Sequence, residues 1–480
     1  MRFEATPFVI LVVVTYGLWL LVRRRERVAV GLLVAASLVF YGHQHWKLLP
    51  ILFAYCLVDW AVGVWLERTR RPRLILALGV SFNLSVLCFF KYVPMLVTTF
   101  AGLTGLWLWP RERLSAESWS IPFGISFYAF TGIAYVVDVY RRTCPAERNF
   151  VRYSLSAIFF PHLVAGPILR ASEFLAFLRP GEMPTRGQSH LEASWLIARG
   201  YFKKLVLADR IGMLIDPFFA HVGDATTQGV WALPYVYLYA FQILIDFSAY
   251  TDIARGLGLL FGYRWPDNFD WPYLAASVGD FWRRWHITLS RFLRDYLYVP
   301  LGGNRHGRWR TCLNLMITML LGGLWHGASW SFLLWGGLHG AFLVVHRLWQ
   351  QTRLSRRTAA WRGPLAWAWR GFAVVLTFHC VCLAWCFFRL TALSDSVTCV
   401  GKWVAFDAGK MLSPALLDRP LLVLAAAYVV TSLAVAALER WAKGEAFVAG
   451  VRWGLRAAVL LLAALLAPGG SAQPFIYFQF

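Results

Sequence analysis

The chain is 480 residues long, 59% hydrophobic, 17% aromatic and only 15% charged. A soluble domain carries about 45–50% apolar and about 25% charged residues, so this much apolar surface needs lipid as its solvent. The composition excludes a disordered chain, a coiled coil, a secreted disulfide scaffold and a freely soluble enzyme. The net charge of +22 falls between apolar runs, which points to arginine-rich loops at a membrane surface and not to nucleic acid.

Runs long enough to cross, or nearly cross, a ~30 Å hydrocarbon core occupy 6–22, 28–44, 48–66, 74–90, 121–139, 151–169, 229–248, 312–328, 330–346, 365–388, 420–438 and 452–468. The runs at 92–109 and 191–207 are weaker. Hydropathy alone predicts an all-α polytopic membrane protein with roughly eleven spans. The basic cluster Arg23–Arg27 follows the first run instead of preceding it, the reverse of a cleavable signal, so that run is expected to be retained.

Placing the basic loops Arg23–Arg27, Glu67–Arg73, Arg305–Arg310 and Arg347–Arg362 in the cytoplasm puts Met1 outside, together with the mixed loop Arg389–Arg419. The stretches 92–120 and 140–153 cannot both fit this scheme unless one apolar run re-enters without crossing. Linker-like stretches at Pro110–Ser120, Arg179–Ser189 and Gly401–Pro420 are short, and there is no internal repeat. One membrane domain over 1–480 is the economical organisation.

The eight Cys are scattered and form no C-x-x-C pair. His379, Cys382 and Cys386 share one helix face, a spacing that could hold a metal. Cysteine as a small apolar side chain in a membrane helix accounts for them more simply, and no metal is expected.

Tyr263–Pro300 is too charged to span and too aromatic for a solvated loop. Phe281, Trp282, Trp285, Leu289, Phe292 and Tyr296 follow helical spacing. Charged backbone at membrane depth survives only where protein buries it or water fills a cavity. The stretch therefore suggests re-entrant or interfacial helices around a funnel open to the cytoplasm, whose basic wall would attract an anionic ligand such as a coenzyme A thioester. An amphipathic helix that only touches lipid phosphates is the alternative.

His326 is the sharpest ionisable residue inside an apolar run. If Thr311 marks the cytoplasmic edge, His326 lies ~22 Å up the helix, past the bilayer middle. Gly322, Gly323 and Gly327 leave room for a ligand to approach the backbone. An imidazole there can take a proton from a hydroxyl and return it to a leaving group; a histidine satisfied by one helix–helix hydrogen bond is the competing role. His286, in Trp282-Arg-Arg-Trp-His286, could face the same cavity or be a surface histidine among arginines. His339 is expected to be structural.

Asp246 and Asp252 could form a cation relay in a transporter, or hold a helix break together with Arg255 as partner. Asp59 and Asp138 are expected to meet basic neighbours near span ends. No P-loop, G-x-S-x-G elbow, H-E-x-x-H or dinucleotide fingerprint is present.

Several segments together resemble the membrane-bound O-acyltransferase family, and within it the membrane subunits of bacterial alginate O-acetyltransferases. They are Phe89-Phe-Lys-Tyr92, Ile121-Pro-Phe-Gly-Ile-Ser-Phe-Tyr128, Phe159-Phe-Pro-His-Leu-Val-Ala-Gly-Pro167, Asp246-Phe-Ser-Ala-Tyr-Thr-Asp252, Asp280-Phe-Trp-Arg-Arg-Trp-His-Ile-Thr-Leu-Ser290, Pro300-Leu-Gly-Gly-Asn-Arg305, Gly323-Leu-Trp-His-Gly-Ala-Ser-Trp330 and Pro474-Phe-Ile-Tyr-Phe-Gln-Phe480. They cover about 89–346 almost continuously, and one position departs, Ala249 in place of an expected Gly.

The resemblance implies catalytic histidines at His326 and His286. It implies an acyl thioester donor, acetyl-CoA, entering from the cytoplasm with no bound cofactor, and a polysaccharide acceptor. A periplasmic esterase-like partner and a place in the bacterial inner membrane follow from the same likeness. Independently of the resemblance, Arg283, Arg284, Arg291 and Arg294 of the arginine-rich stretch are expected to hold coenzyme phosphates. A D-alanyl branch of the family, fed by a carrier protein, and a transporter remain the alternatives.

Overall fold

The structure is a computed structural model that describes residues 3, 5–110, 119, 121–164, 166–178, 188–224, 229, 232–405 and 475–476. The expected runs at 420–438 and 452–468, most of the three linker-like stretches and most of the 474–480 motif lie outside the described residues.

Among the described residues every regular element is helical. The first is α1 (Thr6–Val22), entered with a proline in its first turn, where the missing N–H costs no hydrogen bond. Then come α2 (Glu26–His45) and α3 (Leu49–Leu66), joined by a single 3₁₀ turn, and α4 (Pro72–Thr104). The runs at 74–90 and 92–109 thus form one helix of 33 residues up to Thr104, which ends on Gly105 in the left-handed region. α5 (Ile125–Tyr140) follows.

The run 151–169 is not a span. α6 (Phe150–Ile158) lasts nine residues and the chain then turns irregular before α7 (Ala171–Ala176). Asn149 caps α6, its side chain accepting from the backbone N–H groups of Val151 and Arg152. Next are α8 (Gln188–Tyr201), a π-helical turn Phe202–Ala208, α9 (Asp209–Ala220) and α10 (Ala232–Leu260). The remaining helices are α11 (Val278–Arg284), α12 (Ile287–Leu293), α13 (Gly307–His326), α14 (Trp330–Trp349), α15 (Arg353–Ala359), α16 (Gly363–Arg389) and α17 (Leu393–Ala405).

By length and composition, four helical segments among the described residues are long and apolar enough to cross a membrane: Glu26–Leu66, Pro72–Thr104, Ala232–Leu260 and Gly363–Arg389. α13 and α14 have 20 residues each, but Asn314, His326, His339 and several glycines dilute their hydropathy. Over the described residues the chain is all-helical, with the long apolar helices of a membrane protein.

Two of the arginine-rich loops, Arg23–Arg27 and Glu67–Arg73, meet the 140–153 segment on one face. There Arg152 pairs with Glu26 and Glu147, Arg148 with Glu67 at 3.7 Å, and Arg170 with Asp295. The segment 140–153 therefore joins the basic face, and the stretch after α4 leaves from the opposite end of that helix.

A buried ionic cluster ties α8, the π turn and α9 to α10. Arg199 and Lys203 both meet Asp252, while Lys204 meets Asp209 at 2.8 Å and Asp246 at 2.9 Å. The π turn lets two adjacent lysines reach carboxylates six residues apart on α10. Asp246 Oδ2 also accepts from the backbone N–H of Ile476 at 2.7 Å. Phe3 stacks on Tyr250 at 4.5 Å, and Phe475 meets the same ring edge-on at 5.3 Å. Residues from both ends of the sequence thereby pack on α10.

Three sequence expectations about acids are corrected here. α10 runs unbroken through Asp246 and Asp252, so there is no helix break to hold. Arg255 turns to Asp267 and to the Trp265 carbonyl, because the chain folding back after α10 offers it a carboxylate outside the lipid. Asp59 meets no basic neighbour among the described residues; it accepts from Asn83 Nδ2 at 2.6 Å, one turn pair away on α4.

Candidate active site

α13 carries His326 as its last helical residue, after which Gly327 turns the backbone extended. Ser329 then caps α14, accepting from the Phe332 N–H at 3.3 Å. The two helices cross at close range because both offer glycine at the contact. A Cβ on Gly323 would stand 2.2 Å from the Phe332 carbonyl oxygen, and one on Gly336 would stand 2.3 Å from the Met319 carbonyl oxygen. Both distances are far inside van der Waals contact, so the tight return around His326 depends on these two positions.

The His326 ring is buried, 6% exposed, in a box of aromatic side chains. Trp325 and Trp335 lie 4.9 Å from it, Phe388 of α16 at 5.0 Å and Phe332 at 6.5 Å, ring centre to ring centre. His339 stacks behind this box, 4.7 Å from Trp335, and its Nδ1 accepts from Trp282 Nε1 at 3.3 Å. That bond fits the structural role expected for His339.

His286 is fully buried at the break between α11 and α12. The aromatic periodicity predicts one continuous helix across 281–296, and the structure corrects this. His286 adopts φ 41°, the left-handed region that costs a non-glycine residue energy but suits His better than most. The 268–270 segment bonds across the break. Asn268 accepts at its side chain from the Thr288 N–H at 3.0 Å and the Thr288 hydroxyl at 2.8 Å, and at its carbonyl from the Ile287 N–H at 3.0 Å. The Asp270 N–H donates to the Arg284 carbonyl at 2.9 Å. The break turns His286 inward, 6.1 Å from Trp325 and 4.8 Å from Phe247, so Trp325 has both histidine rings among its neighbours.

The segment after the break leads to the basic face. A cavity of about 320 Å³ opens there, lined by Asp138, Arg141, Thr143, Arg170, Asp295 and Tyr296 among others. Arg141 and Arg170 both sit over the Tyr296 ring, 5.6 and 5.4 Å from its centre, and the Tyr296 hydroxyl donates to Asp138 at 2.8 Å. Burial pushes the Asp295 carboxyl up, but the Arg294 and Arg170 guanidiniums outweigh it and hold the group below the usual carboxylate range. A smaller adjoining cavity adds Glu173, Thr288 and Arg291.

From this cavity a column of rings runs inward. Tyr296 meets Phe292 at 4.8 Å, Phe292 stacks on Phe130 at 4.0 Å, Phe130 on Trp325 at 5.4 Å, and Trp325 reaches His326. Of the four arginines singled out from sequence, Arg291 lines the smaller cavity and Arg294 is tied to Asp295. Arg283 and Arg284 are engaged with Asp280, Arg284 also with Asp270.

Two residues of the site were not singled out. Lys91 of α4 donates to the backbone carbonyls of Trp325 and His326, the latter at 3.1 Å. Tyr92 donates to the Leu324 carbonyl at 2.8 Å. A lysine within an apolar run is itself a functional signal, and it stood in plain view in Phe89-Phe-Lys-Tyr92. The possible metal-binding face on α16 resolves differently: His379 turns to the Tyr237 hydroxyl, and Cys386 lies 3.9 Å from Cys399. Asp246 and Asp252, the acids of a transporter relay, are occupied by the buried lysines and Arg199 described above.

Residues 145–389 match the family model of the membrane-bound O-acyltransferases. A probable alginate O-acetylase of Azotobacter vinelandii is 36% identical over 414 residues, which cover 84% of this chain and 78% of the relative. The chain belongs to the membrane-bound O-acyltransferase family. It is a membrane acyltransferase, and its relatives differ in what their names say they acylate. A peptidoglycan O-acetyltransferase of Helicobacter pylori is 35% identical over 393 residues, 76% of this chain and 72% of the relative. A teichoic acid D-alanyltransferase of Streptococcus thermophilus is 30% identical over 286 residues, 55% of this chain and 67% of the relative.

Proposed function

We propose that the protein is an O-acetyltransferase of the bacterial inner membrane, moving acetyl from acetyl-CoA toward hydroxyls of an exported or cell-wall polysaccharide. The observation that carries this reading is the ring column joining a cavity on the arginine-rich face to a histidine buried at the far end of α13. The arginine-rich face is taken as cytoplasmic, which puts Met1 outside. The phosphates of the donor meet Arg141, Arg170 and Arg291 at the mouth, and its thioester arm extends along the column toward His326.

In the transfer, His326 takes the proton of the acceptor hydroxyl. The oxygen attacks the thioester carbon, the carbon–sulfur bond breaks, and the proton passes to the departing thiolate. His286, across Trp325, polarises the thioester carbonyl or steadies the acceptor. A periplasmic esterase-like partner completes delivery when the polymer does not itself reach the site.

The D-alanyl reading shares this geometry and differs in the acyl group. Mild base releases both esters, so one extraction tests both. Envelope and exported polysaccharide from cells with and without the protein are hydrolysed, and acetate and D-alanine are quantified. Loss of acetate alone is the expected result. Loss of D-alanine with acetate unchanged overturns the acetyl reading, and no change in either overturns acyl transfer to these polymers.

A further inference from the structure

The C-terminal end of α13 poses a problem that the sequence around His326 does not solve. The last four carbonyls of a helix have no partner within it. Here those of residues 323–326 lie inside the membrane domain, where an unmet carbonyl is costly because no bulk water reaches it. Gly327 turns extended at once and makes no left-handed cap.

For three of the four, the partners come from α4. The Tyr92 hydroxyl takes the Leu324 carbonyl at 2.8 Å. The Lys91 ammonium takes those of Trp325 and His326 and donates a third time, to the Ser126 hydroxyl of α5 at 3.4 Å. A protonated lysine has three donors and no acceptor, and three acceptors surround it. The side chain is 8% exposed, and no carboxylate pairs with it among the described residues. Its countercharge is the negative end of the α13 dipole and the carbonyl oxygens themselves. Trp325 is held from the same side, its indole N–H donating to the Ser126 carbonyl at 3.4 Å.

We infer that Lys91, with Tyr92, is a positioning residue that fixes the end of α13 and so the place of the His326 imidazole between the ring column and the acceptor side. The inference rests on the reading of His326 as the base. Lys91 touches the backbone of the residue that would carry the proton, not the reacting atoms. Its loss therefore lowers the rate of transfer and leaves donor binding at the basic face as it was.

The test uses membrane vesicles from producing cells, acetyl-CoA as donor and base-releasable acetate in polymer as product, for wild type, Lys91→Met, Lys91→Arg, Tyr92→Phe and His326→Gln. Lys91→Met is expected to lose roughly 100-fold in maximal rate, the scale of a ~1 Å misplacement, with the KM for acetyl-CoA within about threefold of wild type. Lys91→Arg restores most of that rate, because a guanidinium can serve both carbonyls. Tyr92→Phe removes one hydrogen bond and loses about fivefold, again in rate alone.

A wild-type rate in Lys91→Met, or a raised KM with an unchanged rate, overturns the clamp. If Lys91→Met fails to accumulate, Tyr92→Phe decides, and full activity there overturns it. The ester content of cells carrying the same variants must rank them alike, whatever the donor. Full activity in His326→Gln would remove the base assignment itself. An inactive His326→Gln beside a fully active Lys91→Met removes only the clamp.

Discussion

Replacing His326 with alanine is expected to bring the ester content of the polysaccharide to the level of cells lacking the protein, with the variant present in the membrane in normal amount. General base catalysis contributes about 10²–10⁴-fold, and the aromatic rings that box His326 cannot supply it. Trp325, Phe332, Trp335 and Phe388 offer no base, and His339 is held by Trp282 behind Trp335. The fold should survive the change, because the carbonyls of residues 324–326 at the helix end are held from α4 whichever side chain stands at 326. Ester content per unit of membrane protein is the measurement. A His326→Ala strain with wild-type ester content contradicts the assignment.

Lys204→Met is expected to be the most damaging single change to stability. The ammonium is 2% exposed and sits between Asp209 and Asp246, themselves 7% and 2% exposed. Methionine fills the same volume but leaves two carboxylates facing each other in a dry interior. Removing one partner of a buried pair costs about 3–5 kcal/mol, and here two carboxylates lose the same cation. The Phe475 ring, 4.5 Å from the ammonium, loses its cation as well. The variant should disappear from the membrane or unfold at a markedly lower temperature in detergent. Adding Asp246→Asn to Lys204→Met should recover part of the loss, because one of the two buried negative charges is then gone. A Lys204→Met protein as stable as wild type would mean that the cluster does not hold α9 and the π turn to α10.

Helix ends were readable where turn chemistry is local. The first run, 6–22, coincides with α1, and those at 28–44, 48–66, 330–346 and 365–388 fall within a few residues of α2, α3, α14 and α16. His326 stood out because an ionisable side chain in an apolar run next to glycines is a functional hypothesis by default, and the structure places it in a buried aromatic box. The break at His286 was not legible. The aromatic residues keep helical spacing straight through it, and the groups that open it, Asn268 and Asp270, bond from a separate segment. Hydropathy also hid the ionic cluster. Lys203 and Lys204 weakened a predicted span at 191–207, whereas in the structure they neutralise the acids of α10. Arg255 drew attention as a partner for Asp252 because it is near in sequence, but Arg199 and Lys203 hold that carboxylate from another helix. Lys91 was missed for a different reason: read along α4 it is one charge in a long apolar run, and its meaning depends on α13 ending beside it.

The central claim is that acetyl passes from a thioester supplied at the arginine-rich face to polymer hydroxyls through His326. Sealed inside-out vesicles that expose the cytoplasmic face, given acetyl-CoA labelled in the acetyl group, test it most directly. The account predicts base-releasable label in polymer with the wild type and only background with His326→Ala, at equal amounts of protein. Equal labelling by the two proteins, or none by the wild type, would contradict it.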